Sequence, residues 1–272
     1  MNFVNPMLNV ATSQAVQVGG EILFGAVALI ALGYCIRVAR RQRKLWPLYL
    51  YAGSALNFLY EPFNNLLGHC AYPVIGQHTL ITVFDQHIPI YIGLVYIFYF
   101  SLPVPLLVQR WEAGITKRQF WKDYIVLAVL VAAFEPMFIK FGWWLYHGGN
   151  QALAFTGFPM WWWFANPMCV FAVAAMVFLL RRYVFTSNRQ AVLIVPLVPL
   201  TLFASHASAA TPVFVAINQT TGDGWTTAAS IVTIGISLLY VWIISKAVIS
   251  TARPTPEPTD VTEHSGRVHS MT

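Results

Sequence analysis

Glu61 is the residue that most needs a reason. It stands in "YEPFNNLLGHC", residues 60–70, about 15 residues into an apolar segment long enough to cross a membrane. A carboxyl group in such surroundings favours its neutral form, because burial penalises the charge. It would then be poised to donate a proton as a general acid. Glu135 repeats the pattern. "LNFLYEPFNN" and "VAAFEPMFIK" both set an aromatic residue, Glu and Pro in sequence. Proline has no N–H and frees the carbonyl a turn earlier, so each acid sits at a kink. "ANP" at 165–167 places Asn166 in the same way, and His206 precedes Pro212 by six residues. An ionised second acid near the first could take a proton back, which is what a carbocation cyclisation or hydration requires.

The elements that must position these groups follow from hydropathy. Of the 272 residues, 57% are hydrophobic and 10% charged, against about a quarter charged in a soluble domain. Apolar runs predict an all-α integral membrane protein with spans at 20–39, 46–67, 88–109, 122–143, 159–180, 191–213 and 227–249. Basic clusters, "RVARRQRK", "QRWEAGITKR", "RRYVFTSNR" and Lys246 with Arg253, all fall on one side of this seven-span bundle. Lys140 is the exception. The positive-inside rule puts the N-terminus outside and the C-terminus in the cytoplasm. The net charge of +6 thus reflects loop clusters and not nucleic-acid binding. Residues 1–250 form the transmembrane domain. The Pro- and Thr-rich residues 251–272 are expected to be a disordered cytoplasmic tail. The N-terminus has no basic residue before its first apolar run and does not read as a cleavable signal peptide.

In this topology Glu61, Glu135 and His206 each lie roughly 20–23 Å from the inner boundary at 1.5 Å per residue. Asn166, on a span of opposite direction, reaches the same level. Either acid alone is explained as well by a hydrogen bond to a neighbouring helix. Four polar groups from four helices at one depth favour a shared cavity. Trp162 belongs to "FPMWWWF", and most of that run suits a membrane interface. Tyr96 and Tyr99 lie near mid-span, where that explanation fails, and aromatic faces there would stabilise a cation. Asn57, Asn65, Tyr96, Tyr99, Trp162, Asn166 and His206 are therefore the candidates for binding substrate. Asp85, with His87, is placed at an outer lip. Equal depth does not fix rotation about each helix axis.

Seven spans in under 300 residues, an acid in the second span and an acid before the seventh resemble the small integral-membrane terpene cyclases of meroterpenoid and indole-diterpenoid pathways. In that family two acids protonate a prenyl epoxide or alkene and start ring closure. The resemblance implies Glu61 and Asp223 in those roles. It does not cover Glu135, His206 or "FPMWWWFANP", and "TTGDGWT" around Asp223 also reads as a polar turn. A membrane carotenoid hydratase would use similar acid chemistry with water as nucleophile.

Other classes remain. A metal-dependent membrane hydrolase would use His69, His78, His87, His147 or His206, but no H-x-x-x-H or H-E-x-x-H occurs. The three cysteines, Cys35, Cys70 and Cys169, have no metal-like spacing. A proton-coupled transporter or a sensor would explain kinked helices with acids, although Lys246 lies too near the end of its span for a Schiff-base lysine. The expectation is a multi-pass enzyme acting by acid catalysis on an isoprenoid lipid drawn from the bilayer. Glu61 is the first acid, Glu135 its partner, and Asp223 the next candidate. No nucleotide, flavin or haem motif appears, so no metal or redox cofactor is expected. The membrane would be the plasma membrane in a bacterium or an endomembrane in a eukaryote.

Overall fold

The computed structural model describes residues 5–148, 151–219 and 222–252. Most of the expected tail, from 253 onward, lies outside the described residues. Helix occupies every apolar segment predicted from hydropathy. The helices are α1 (Gln14–Gln42), α2 (Trp46–Ala55), α3 (Glu61–Gly68), α4 (Ile90–Ser101), α5 (Pro103–Glu112), α6 (Lys117–Lys140), α7 (Met160–Tyr183), α8 (Ile194–Ile217) and α9 (Asp223–Ala252). By length and composition five segments can cross a membrane: Gln14–Gln42, Ile90–Glu112, Met160–Tyr183, Gln190–Ile217 and Asp223–Thr251. The two others differ for physical reasons. α6 is 24 residues long but carries Asp123, Glu135 and Lys140. The predicted second span is divided into α2, a 3-10 turn at Asn57–Tyr60, and α3.

Proline causes that division. Pro62 has no N–H to give the Phe58 carbonyl, and the Glu61 N–H fills it instead, one residue early. The backbone tightens into the 3-10 turn and delivers Glu61 at the start of α3, buried at 5% exposure. The third predicted span breaks in the same manner. Pro103 deprives the Tyr99 carbonyl of its helical donor, and α4 gives way to α5 at Leu102.

Segments 68–87 and 144–158, expected as polar loops, contain short strands. β1 (Cys70–Ala71) pairs antiparallel with β4 (Leu145–Tyr146), and the His147 N–H reaches the His69 carbonyl at 2.8 Å. β2 (Thr79–Val83) and β3 (Gln86–Pro89) form a hairpin closed by Phe84 and Asp85, with φ of 54° and 57°. β5 (Ala154–Phe155) and β6 (Phe158–Pro159) close likewise through Thr156 and Gly157, with φ of 50° and 81°. Two left-handed residues in a row match the right-handed twist of the flanking strands. Together these strands cap one end of the bundle.

α7 is the central post, packed against α5, α6, α8 and α9. Its side chains are buried almost without interruption from Ala165 to Phe178, as expected of a helix apolar on all sides. The end of the bundle opposite the strands carries the basic clusters. There Trp111 packs against Phe120, Phe171 and Phe178 with centroids 5.6, 5.8 and 5.9 Å apart. Arg110–Asp123 and Arg181–Glu112 ion pairs, both at 2.8 Å, join neighbouring elements. Large apolar side chains face outward on α1 (Ile22, Leu29, Ile30), α6 (Ile125, Val129) and α9 (Ile231, Ile243). In water such surfaces mark interaction sites or aggregation hazards, whereas lipid is their natural neighbour.

Candidate functional site

One cavity takes in both buried-segment acids. It measures about 100 Å³, counted as space open to the centre of a water molecule. Glu61, Glu135, Asn166 and His206 all line it, as do Tyr96, Tyr99 and Trp162. The rotations that hydropathy left open thus point these side chains at one space. α3 supplies Glu61, α4 the two tyrosines, α6 Glu135, α7 Trp162 and Asn166, and α8 His206.

Each acid has its own donors. Tyr72 and Tyr96 give their hydroxyl protons to the two oxygens of Glu61. Trp144 Nε1 donates to Glu135 at 3.1 Å, and Asn166 Nδ2 approaches its other oxygen at 3.5 Å. Glu61 is buried, while Glu135 is partly accessible. The partly accessible lining is concentrated on α4 (Val95, Tyr96, Tyr99) and on α6 with the strand after it (Glu135, Tyr146). α4 packs mainly on α1 and α2, and α6 mainly on α7. Asn166 of α7 is also partly accessible, so the accessible side of the cavity is lined from α4, α6, α7 and β4.

His206 is 2% exposed, and its Nδ1 lies 2.9 Å from the Tyr60 hydroxyl. The Tyr60 hydroxyl has one proton and this one side-chain partner among the described residues. Giving the proton to Nδ1 leaves the imidazole hydrogen on Nε2. His206 Nε2 has no protein partner among the described residues, and neither has the Tyr99 hydroxyl or Asn64 Oδ1. All three residues line the cavity. A buried polar atom without a partner is costly, so these atoms are available to a bound molecule. The rings of Trp162 and His206 lie 4.9 Å apart and form one aromatic wall.

Four residues singled out in the sequence are elsewhere. Asn57 and Asn65 are fully buried but do not line the cavity. Asp85 is exposed at the tip of the β2–β3 hairpin, and Asp223 is exposed at the start of α9. Hydropathy missed other lining residues. Tyr72, Trp144 and Tyr146 come from the capping segments, outside the apolar runs. Asn64 was discoverable: three residues after Glu61, it shares a helix face with it. Cys70 and Cys169 also line the cavity as free thiols. Among the described residues, no three His, Cys, Asp or Glu side chains gather closely enough to hold a metal ion. His69 and His147 stack face to face at 5.0 Å in the cap.

The arrangement can move a proton, stabilise a cation and exclude most water. No protein-family model, curated protein or solved structure matches this chain, so its chemistry is argued from this geometry.

Proposed function

We propose that the chain is a seven-span membrane enzyme that isomerises an isoprenoid lipid by acid catalysis, as a terpene cyclase does. The observation that carries this reading is Glu61: a buried acid held by two phenol hydroxyls in an aromatic-lined cavity. Two further points support seven spans. Residues 46–68 run 23 positions, about 34 Å at a helical rise, and α6 bears an outward apolar face. The basic end would be cytoplasmic by the positive-inside rule.

In the proposed reaction, protonated Glu61 gives its proton to a terminal alkene carbon or epoxide oxygen. The alkene π pair, or a lone pair on the epoxide oxygen, takes up that proton; in the epoxide the C–O bond then breaks with its electron pair going to oxygen and leaves the tertiary cation. Tyr72 and Tyr96 then stabilise the carboxylate left behind. The tertiary cation meets the faces of Tyr60, Tyr99 and Trp162. An internal alkene closes a C–C bond, and ionised Glu135 removes a proton to form the product alkene. Substrate and product are isomers, and return of that proton to Glu61 resets the pair. At about 10–15 Å³ of such space per water, the cavity holds several waters or a small ring system. The rest of a prenyl chain would extend past the partly accessible lining of α4 and α6 into the bilayer.

A second reading, a proton-coupled carrier, is favoured by the two helix breaks at 57–60 and 102, which flank the cavity. One experiment separates the two. Membranes containing wild type, Glu61→Gln or Glu135→Gln are supplied with farnesol, geranylgeraniol and their terminal epoxides, then extracted and profiled by mass spectrometry. An isomer that forms with wild type and is lost with Glu61→Gln supports the enzyme. No new product from any substrate, with both variants folded and proton uptake coupled to a solute in vesicles, supports the carrier.

A further inference from the structure

A second cavity, about 80 Å³, lies at the basic end of the bundle. Lys44 after α1, Trp46 at the start of α2, Arg181 near the end of α7, and Ser187 and Asn188 before α8 line it. It shares no lining residue with the Glu61 cavity.

Its polar groups are biased toward donation. Ser187 Oγ already accepts the Gln190 N–H at 3.4 Å, which leaves its hydroxyl proton free to point into the cavity. Asn188 Oδ1 accepts the Leu45 N–H at 3.1 Å, so its Nδ2 donors remain. Arg181 uses Nε and Nη2 on Glu112 at 2.9 and 2.8 Å, and Nη1 has no protein partner among the described residues. Its guanidinium is held 4.5 Å over the Trp46 ring, a rigid placement for a cation. Lys44 forms no ion pair among the described residues. Among the described residues no carboxylate lines the cavity. Glu112 offsets one positive charge from Arg181's far edge, and Lys44 restores the excess.

Two cations, a hydroxyl and an amide, with their acceptors already consumed, suit a ligand that only accepts: a phosphate oxygen set. We infer that this cavity binds an anionic phosphate at the basic end of the bundle, carried either by a phospholipid headgroup or by free inorganic phosphate. Basic pockets between membrane helices favour such headgroups.

The test uses the full chain, purified in detergent and stripped of lipid. Native mass spectrometry compares retention of phosphatidylglycerol and phosphatidylcholine. Thermal shift compares inorganic phosphate with chloride at equal ionic strength. The variants are Lys44→Gln and Lys44→Gln/Ser187→Ala. Arg181 is left intact because it holds Glu112. Phosphatidylglycerol preferred over phosphatidylcholine in wild type, with that preference reduced about fivefold in Lys44→Gln, supports the inference and assigns a headgroup. Stabilisation by phosphate, lost in the variants, without any lipid preference supports it and assigns the free anion. The inference is overturned if neither probe is favoured, or if the preference survives in both variants.

Discussion

The two ends of the bundle fill the space between helices differently. At the basic end two ion pairs, Arg110–Asp123 and Arg181–Glu112, join neighbouring elements, and the rings of Trp111, Phe120 and Phe171 pack between helices. At the cavity end, helices break at prolines, two acids face one space, and Asn64, Tyr99 and His206 keep atoms without a partner among the described residues. Buried atoms without a partner among the described residues occur at the basic end too, at Trp111 Nε1 and Asp123 Oδ2. The ends differ in what lies between the helices, packed rings at one and a polar-lined cavity at the other, and on the proposed function the second is where chemistry would occur.

The largest effects should separate the ends most cleanly. Trp111→Ala removes a fully buried indole from the aromatic stack and should cost about 3–5 kcal/mol, read as a large drop in melting temperature in detergent. Glu61→Gln should leave that temperature nearly unchanged and lower product formation roughly 10²–10⁴-fold. If the two variants exchanged phenotypes, the division of labour would be wrong.

A smaller effect sharpens the account of Glu61. Tyr72→Phe and Tyr96→Phe each remove one hydrogen bond to its carboxyl while keeping the ring. A hydrogen bond to a charged group is worth about 1.5–3 kcal/mol, so each should slow turnover about 10- to 100-fold. The slowing should appear in kcat more than in KM, because the bonds strengthen as the carboxylate forms. A change confined to KM would make the tyrosines substrate-binding walls instead.

The uneven legibility of the molecule follows the same division. Helices were readable because apolar runs of membrane length have few alternatives. Glu61 stood out because its cost is visible in one letter beside Pro62, and Tyr96 and Tyr99 because interface anchoring does not explain aromatic residues at mid-span. The cap was not readable. Its hairpins turn at Phe84–Asp85 and Thr156–Gly157, and neither Phe nor Thr announces a left-handed turn. Tyr72, Trp144 and Tyr146 reach the cavity only through pairing of β1 with β4, a contact between segments some 75 residues apart. Around the 3-10 turn the structure presents Asn64 to the cavity, whereas the candidates Asn57 and Asn65 do not line it.

The cap also predicts a pH effect. Burial, with His69 stacked beside it, pushes His147 down from the ordinary 6.5 to about 4. The folded state therefore favours the neutral ring. Above pH 6.5 both folded and unfolded chains carry it neutral and nothing changes. As pH falls from 6.5 toward 4 the unfolded chain gains its proton first, and stability declines. Melting temperatures of wild type and His147→Gln at pH 7 and pH 5 should show a larger acid loss in wild type. Equal losses would mean that the stacked pair does not govern the cap. The ring is partly exposed, so the difference should be a modest one.

The smallest expected effect is the most discriminating for the choice of second acid. Asp223 is exposed in the first turn of α9, where a negative charge complements the helix N-terminus. Asp223→Asn should cost no more than about 0.5 kcal/mol of stability, because asparagine also suits a helix start. Since Asp223 does not line the cavity, the variant should also turn over substrate at the wild-type rate. Glu135→Gln should not, because Glu135 lines the same cavity as Glu61. If instead Asp223→Asn lost activity as Glu61→Gln does, the start of α9 would have to reach the cavity during turnover. The second proton acceptor would then be Asp223, as the terpene cyclase resemblance implies, and Glu135 would be left as part of the cavity wall.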